Sequence, residues 1–141
     1  MSRARLSLIV LLAAPLASAC DNGPVTPSAT TTTTTTTSPV TETFSSQLAV
    51  GGYASRSFTA AKAGTVTVTL TNAGSSSTLK VGLALGIPDQ AGTGCLFTRT
   101  TETAAGGNVS ATVDAGAYCM RVSDIGNLTA AISFTATIVR P

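Results

Sequence analysis

Polar and apolar residues alternate one by one through most of the chain beyond residue 43. The clearest example is 65–70, where valine or leucine occupies every second position and threonine occupies the others. Strict alternation of this kind predicts a β-strand that buries one face and exposes the other. The same period runs through 79–85, 109–113, 118–123 and 132–138. No stretch shows a capped helical period, so the pattern predicts an all-β domain.

Three weaker alternations, at 44–48, 55–59 and 95–100, complete a set of about eight strands at spacings of roughly 8–12 residues. Glycine, asparagine and aspartate supply turn chemistry between them. Such a series predicts an antiparallel β-sandwich of jelly-roll type over residues 43–141. Three aromatic rings fall on the apolar phases and are predicted to join the aliphatic core, namely Phe58, Tyr118 and Phe134.

The first 19 residues follow a different pattern. Arg3 and Arg5 precede an apolar run at 6–14, and the small residues at 17–19 come directly before Cys20. This arrangement is typical of a secretory signal peptide, and the apolar run is too short for a permanent membrane span. We therefore expect residues 1–19 to be removed on export.

The same segment resembles the signal peptide of bacterial lipoproteins, in which acyl chains such as palmitate are attached to the cysteine that follows the cleavage site. Cys20 occupies that position, although Ala17 stands where the family prefers leucine, and Leu16 lies one residue further back. The resemblance implies a protein anchored to membrane lipid through Cys20 and exposed to the periplasm or the cell surface of a bacterial envelope. Ala17 and Ala19 also fit an ordinary cleavage site, so simple secretion is the alternative.

Residues 20–42 are predicted to be a disordered tether between the anchor and the domain. The segment contains three prolines and an unbroken threonine run at 30–37, and it has no apolar period. A sequence of this composition cannot bury enough apolar surface to offset the entropy of ordering.

Cys95 and Cys119 remain inside the exported domain, where disulfides persist. We predict that they form a disulfide, which closes a loop of about 25 residues and stabilises the fold by roughly 3–4 kcal/mol. The pair lacks a CxxC spacing for redox chemistry, and the chain has no histidine to complete a soft metal site. No cofactor and no metal are expected.

Charge and catalytic residues exclude several functions. Arg3 and Arg5 lie in the signal peptide, which leaves six basic against six acidic residues and no basic stripe for nucleic acid. The absence of histidine excludes Ser-His-Asp and Cys-His catalysis. Asp114 and Asp124 stand in turn sequences, where carboxylates bond backbone amides; a calcium site at Asp124 and Asn127 is the alternative. We expect a protein that is not an enzyme.

Residues 43–141 resemble the bacterial pre-peptidase C-terminal (PPC) domain, a β-sandwich of jelly-roll type usually attached to secreted enzymes. A phenylalanine at 58 comes before the strand at 63–70, the segment 115–122 reads AGAYCMRV, and DIGN at 124–127 leads into the last strand. These motifs are turn and strand patterns, so they specify a fold better than a function.

Two non-catalytic functions remain. The first is a binding module for an envelope polysaccharide or protein, which requires an exposed patch of aromatic and amide side chains. Its candidates are few, namely Tyr53, Asn72, Gln90 and Phe97. The second is a structural or assembly subunit of a cell-envelope complex, which requires a flat threonine-rich or apolar face of interface size.

Overall fold

A computed structural model describes residues 38–91 and 94–141 of the chain. The predicted signal peptide, the predicted acylation of Cys20 and the predicted tether up to residue 37 lie outside the described residues, and they stay predictions. Where the chain is described it forms strands and turns, without a helix. Accordingly, these residues include no helix that could cross a membrane.

Eight antiparallel strands make up the described fold, as the sequence predicts. They are β1 (Val40–Leu48), β2 (Tyr53–Ala60), β3 (Gly64–Ala73), β4 (Val81–Pro88), β5 (Cys95–Thr103), β6 (Asn108–Val113), β7 (Gly116–Ser123) and β8 (Ile132–Arg140).

The strands form two four-stranded sheets. Sheet I has the order β1-β8-β3-β6, and sheet II has the order β2-β7-β4-β5. Each neighbouring pair is antiparallel, and β1 pairs with β8 although 90 or more residues separate most partners. This order is that of a jelly roll, which confirms the predicted sandwich and its topology.

The core lies between the sheets and is built from the inward positions of the alternating strands. Val66, Val68 and Leu70 of β3 are completely buried, and so are the facing aliphatic residues of β4 and β7. The predicted aromatic core is confirmed: Phe58 and Phe134 are buried, and the half-buried Tyr118 packs against the same cluster. The threonines of β3 alternate with these valines on the opposite face.

One predicted boundary is wrong. The tether was expected to extend through residue 42, but β1 begins at Val40. The inward position at Glu42 carries a carboxylate instead of an apolar side chain, which hides the alternation. Its Oε2 accepts a hydrogen bond from Arg140 Nη1 at 2.7 Å, and its Oε1 lies 2.8 Å from Arg56 Nη2. The Arg140 guanidinium, followed by that of Arg56, lowers the pKa of Glu42 below its ordinary value.

Candidate functional site

The outer face of sheet I is covered with hydroxyl groups. Thr67 Oγ1 and Ser110 Oγ lie 2.9 Å apart on neighbouring strands, and Ser45 Oγ and Thr135 Oγ1 lie 3.0 Å apart. No outward position of the four described strands carries an ionisable side chain. The outward residues are Thr41, Thr43, Ser45 and Gln47 on β1, Ser133, Thr135, Thr137 and Val139 on β8, Thr65, Thr67 and Thr69 on β3, and Asn108, Ser110 and Thr112 on β6.

The outer face of sheet II contains a cleft of about 500 Å³. Its floor is the central strand β4, where the outward positions are Gly82 and Ala84. Because these residues have little or no side chain, the side chains of the neighbouring strands extend beyond them and form the walls of the cleft. The walls carry Phe97, Thr100 and Glu102 on one side and Arg121 and Ser123 on the other.

Strand register places the wall residues opposite one another. Gly82 pairs with Glu102 on β5 and with Ser123 on β7. Glu102 and Ser123 therefore lie two strand spacings apart, with about 9.5 Å between their backbones. A Cβ atom at Gly82 would lie 2.5 Å from Ser123 Oγ and 3.3 Å from Ile125 Cγ2. A single methyl group at this position would thus occupy the space into which the Ser123 hydroxyl projects.

Arg121 is fixed by two aromatic rings. Its guanidinium carbon lies 4.1 Å from the centre of the Tyr53 ring and 4.4 Å from the centre of the Phe97 ring. Its Nε donates to Ser55 Oγ at 3.5 Å. Both contacts to the rings are within cation–π range, so they restrict a side chain that would otherwise sample many rotamers. Tyr53 is still 64% exposed, which leaves much of its surface accessible to a ligand.

Two of the four predicted binding residues meet at this site, and two do not. Tyr53 and Phe97 lie on separate strands of sheet II and are joined through Arg121. Asn72 lies at the bulge of β3 in sheet I, and Gln90 lies in the turn after β4. Arg121 is not among the predicted binding residues, although its position on the polar phase of the strand at 118–123 indicates that it faces outward.

The predicted disulfide between Cys95 and Cys119 is confirmed, and both cysteines line a smaller cavity that also contains Tyr53 and Arg121. The disulfide joins β5 to β7 with a Cα–Cα distance of 6.1 Å, although β4 lies between those strands in the sheet. The close approach depends on Gly86, because a Cβ atom there would collide with the carbonyl group of Leu96. The glycine and the disulfide together hold the start of β5 over β4 and thereby position Phe97.

Asp124 organises a turn next to the cleft. Its Oδ2 accepts from the Gly51 amide at 2.7 Å, and its Oδ1 accepts from the amides of Gly126, Asn127 and Leu128 at 2.9, 3.2 and 3.3 Å. These donors, the Gly51 amide first, lower the pKa of Asp124. The carboxylate thus acts as a turn former, and within 38–91 and 94–141 no three potential ligands of the His, Cys, Asp and Glu type cluster around a metal position.

Three carboxylates of the described domain lie in different surroundings. Glu102 lines the cleft on sheet II, whereas Asp114 lines a second cleft of about 440 Å³ beside Tyr118 and Arg99. Asp124 is engaged by backbone amides, as described above.

Comparison with known proteins supports the fold alone. No protein-family model matches the chain, and no curated protein matches it in sequence. The crystal structure of the Yersinia pseudotuberculosis-derived mitogen is similar in structure, with a TM-score of 0.52 and 10% identity, over 73% of this chain and 87% of the mitogen. A protein of Bacillus endospore appendages, which form disulfide-linked pili, aligns with a TM-score of 0.38 and 15% identity over 89% of this chain and 97% of its own. The first similarity places the chain among β-rich folds of this type, and the second is too weak to carry further meaning.

Proposed function

We propose that this protein is an exported lipoprotein, anchored in the bacterial cell envelope through acylated Cys20, whose β-sandwich is a non-catalytic binding module. Its ligand is an envelope polysaccharide or protein. The observation that carries the proposal is the Arg121 guanidinium held between Tyr53 and Phe97 at the edge of an open cleft.

The chemistry of the cleft supports binding. Its volume of about 500 Å³ falls within the range of roughly 300–1,000 Å³ typical of small-ligand sites. Tyrosine, phenylalanine and arginine are among the residues enriched at protein interfaces: aromatic rings offer large contact areas, and tyrosine and arginine add directional hydrogen bonds. Arg121 forms no ion pair with a carboxylate of the described chain, so its charge is available to a ligand.

Export and anchoring are supported by separate observations. A disulfide inside the fold favours an oxidising compartment. The predicted signal peptide, residues 1–19, comes directly before Cys20, and the predicted tether would hold the domain away from the lipid surface. The resemblance to the PPC domain is compatible with a binding role, and the lack of histidine favours a protein without catalytic activity.

The binding role is tested with the double substitution Tyr53→Ala and Phe97→Ala in the full-length chain that also carries Cys20→Ala, so that no acyl anchor holds the protein on the envelope. We expect its binding to isolated envelope fractions of the source bacterium to fall at least tenfold, because Arg121 loses both rings. Val50→Ala is the matched control, since Val50 is an exposed apolar residue outside the cleft. Unchanged envelope binding by the double variant would overturn the proposal for this surface.

Anchoring is tested with Cys20→Ala. We expect this variant to leave the membrane fraction and to appear in the soluble fraction, because the thiol that would carry the acyl chains is absent. Retention of the variant in membranes would contradict the lipoprotein assignment and leave the binding role untouched.

A structural role is the second candidate, and the outer face of sheet I favours it. That face is uncharged and covered by hydroxyl groups, which suits broad contact with another envelope protein. Replacing Thr67 and Thr137 by lysine would place two charges on this face. If these changes, and not the Tyr53 and Phe97 changes, release the protein from envelope complexes, the structural role is correct.

A further inference from the structure

Two opposite charges line the cleft on sheet II without contacting each other. Glu102 lies on β5 and Arg121 lies on β7, and no ion pair joins them. The two ion pairs of the described residues both involve Glu42, on the other sheet. Register sets them two strands and two residues apart, about 12 Å between Cα atoms. A group placed between them can therefore contact both.

The space between these charges is kept open by small residues. Gly82 and Ala84 are the outward residues of β4 between the two walls, and neither fills the cleft. Ser123 and Thr100 add one hydroxyl to each wall. The site thus combines a donor-only guanidinium, an acceptor-only carboxylate and two hydroxyls that both donate and accept.

We propose that this cleft binds a ring of an uncharged carbohydrate, an inference that rests on the proposed binding function of the same surface. Ring hydroxyls donate to Glu102 and accept from Arg121, while the accessible surface of Tyr53 covers the apolar face of a neighbouring sugar unit. The ligand is a neutral oligosaccharide segment and spans the floor formed by Gly82 and Ala84.

The charge arrangement distinguishes this ligand from the alternatives. A uronic acid or a phosphate that filled the space between the walls would bring its negative charge toward Glu102 as well as toward Arg121, and a basic ligand there would bring its positive charge toward Arg121 as well as toward Glu102. A neutral polyol satisfies both side chains and has no net charge of its own to desolvate. A protein partner would be expected to use a flatter and larger area than one cleft of this size.

The test uses an array of neutral, carboxylated and sulfated oligosaccharides probed with the full-length protein. We expect neutral glycans to be retained and the charged ones not to be. The best neutral oligosaccharide is then titrated calorimetrically against variants. Glu102→Gln and Arg121→Gln should each weaken its affinity at least fivefold. Arg121→Lys should lose most of the affinity as well. Lysine keeps the positive charge, but it lacks the planar guanidinium group that donates several hydrogen bonds in fixed directions.

Matched controls come from the second cleft of the same domain. Asp114→Asn and Arg99→Gln remove one charge of each sign from residues that line that cleft, and their affinities should stay within twofold of the unaltered protein. Thermal unfolding of every variant shows whether a loss of binding reflects a loss of folding.

Each other outcome would overturn a specific part of the carbohydrate inference or of the proposed binding function. Retention of carboxylated glycans, with tighter binding by Glu102→Gln, would show an anionic ligand and refute the neutral one. Neutral binding that ignores Glu102→Gln and Arg121→Gln would place the sugar elsewhere. If no neutral glycan binds, yet the Tyr53 and Phe97 double substitution still abolishes envelope binding, the carbohydrate inference fails and the binding function stands. If that double variant binds the envelope normally, the proposed function fails for this surface as well.

Discussion

The two outer faces of the sandwich have the same strand geometry and different chemistry. On sheet I, the outward positions are almost entirely threonine, serine and amide residues, and neighbouring hydroxyls bond each other across the strands. On sheet II, the outward positions of the central strand shrink to Gly82, Ala84 and Gly86, and the flanking strands carry an arginine, aromatic rings and a carboxylate.

The difference supports the proposed placement of the binding site on sheet II. Threonine suits an exposed strand surface, so sheet I obeys the ordinary preferences of a β-sheet. Glycine inside a strand weakens it, and sheet II has two glycines in β4 alone. Departures from local preference concentrate at functional sites and need support from elsewhere in the structure. In sheet II that support includes the Cys95–Cys119 disulfide, which crosses β4 at this point.

The largest effect is expected from removing that disulfide. The double substitution Cys95→Ala and Cys119→Ala should lower the free energy of unfolding by about 3–4 kcal/mol, because the unfolded chain regains the entropy of an open loop. Amide hydrogen exchange should accelerate first in β5, while β3 and β8 of sheet I keep their protection until global unfolding. Equal acceleration in both sheets would show that the disulfide does not act locally. Chemical reduction of the unaltered protein is the control and should reproduce the change.

A smaller loss is expected from Gly86→Ala. The added methyl group would meet the Leu96 carbonyl, so β4 and β5 must separate, at a cost of about 1–3 kcal/mol. Urea denaturation measures this cost. Thr67→Val on sheet I is the control, since valine keeps the shape and the strand preference of threonine and should change stability by less than about 0.5 kcal/mol. A Gly86→Ala variant as stable as this control would mean that β5 does not need its close approach to β4.

Acid should weaken the contact between the sheets at Glu42. The arginines lower the pKa of Glu42 in the fold below its ordinary value of 4.5. The ion pairs therefore stabilise the fold fully at pH values above 4.5, and the stabilisation is lost as the pH falls through the lowered pKa.

Glu42→Gln should reduce the Tm at pH 7, by an amount that corresponds to about 1 kcal/mol. The difference from the unaltered protein should vanish by pH 2. A difference that persists at pH 2 would exclude the ion pairs as its cause; Asp114→Asn serves as the control carboxylate.

The smallest effect is expected on the hydroxyl face. Thr67→Val removes one member of the Thr67–Ser110 hydrogen bond at an exposed site, where valine has the same shape and a high strand preference. Its free energy of unfolding should change by less than about 0.5 kcal/mol. Binding to envelope fractions should also stay within twofold, in contrast to the Tyr53 and Phe97 variants. A marked loss of binding by Thr67→Val would reverse the functional ranking of the two faces.

Sequence reasoning identifies the strands better than their arrangement. The strict period at 65–70 predicts β3 because its inward residues are all aliphatic. The start of β1 stays hidden because Glu42 occupies an inward position, and its partners Arg56 and Arg140 become its neighbours only in the folded chain. The disulfide is predictable because only two cysteines lie within the domain.

The cleft is not visible in the sequence because it depends on register between distant strands. Gly82, Glu102 and Ser123 become neighbours only when β4 pairs with both β5 and β7. Tyr53 and Phe97 attract attention as rare aromatic residues, whereas Arg121 resembles any polar residue on a strand. Its role arises from the two rings that contact it, and that contact is a property of the folded chain.

The stacking of Arg121 has a consequence for the kinetics of recognition. The Arg121 guanidinium contacts two rings, and one of them, Phe97, lies two residues from the disulfide cysteine Cys95. Its side chain has therefore lost most of its conformational freedom before a ligand arrives. Immobilising a flexible side chain on binding normally costs about 0.5–1.5 kcal/mol, and here folding has already met that cost. The site is therefore preorganised, and a ligand that fits it should associate without waiting for a conformational change.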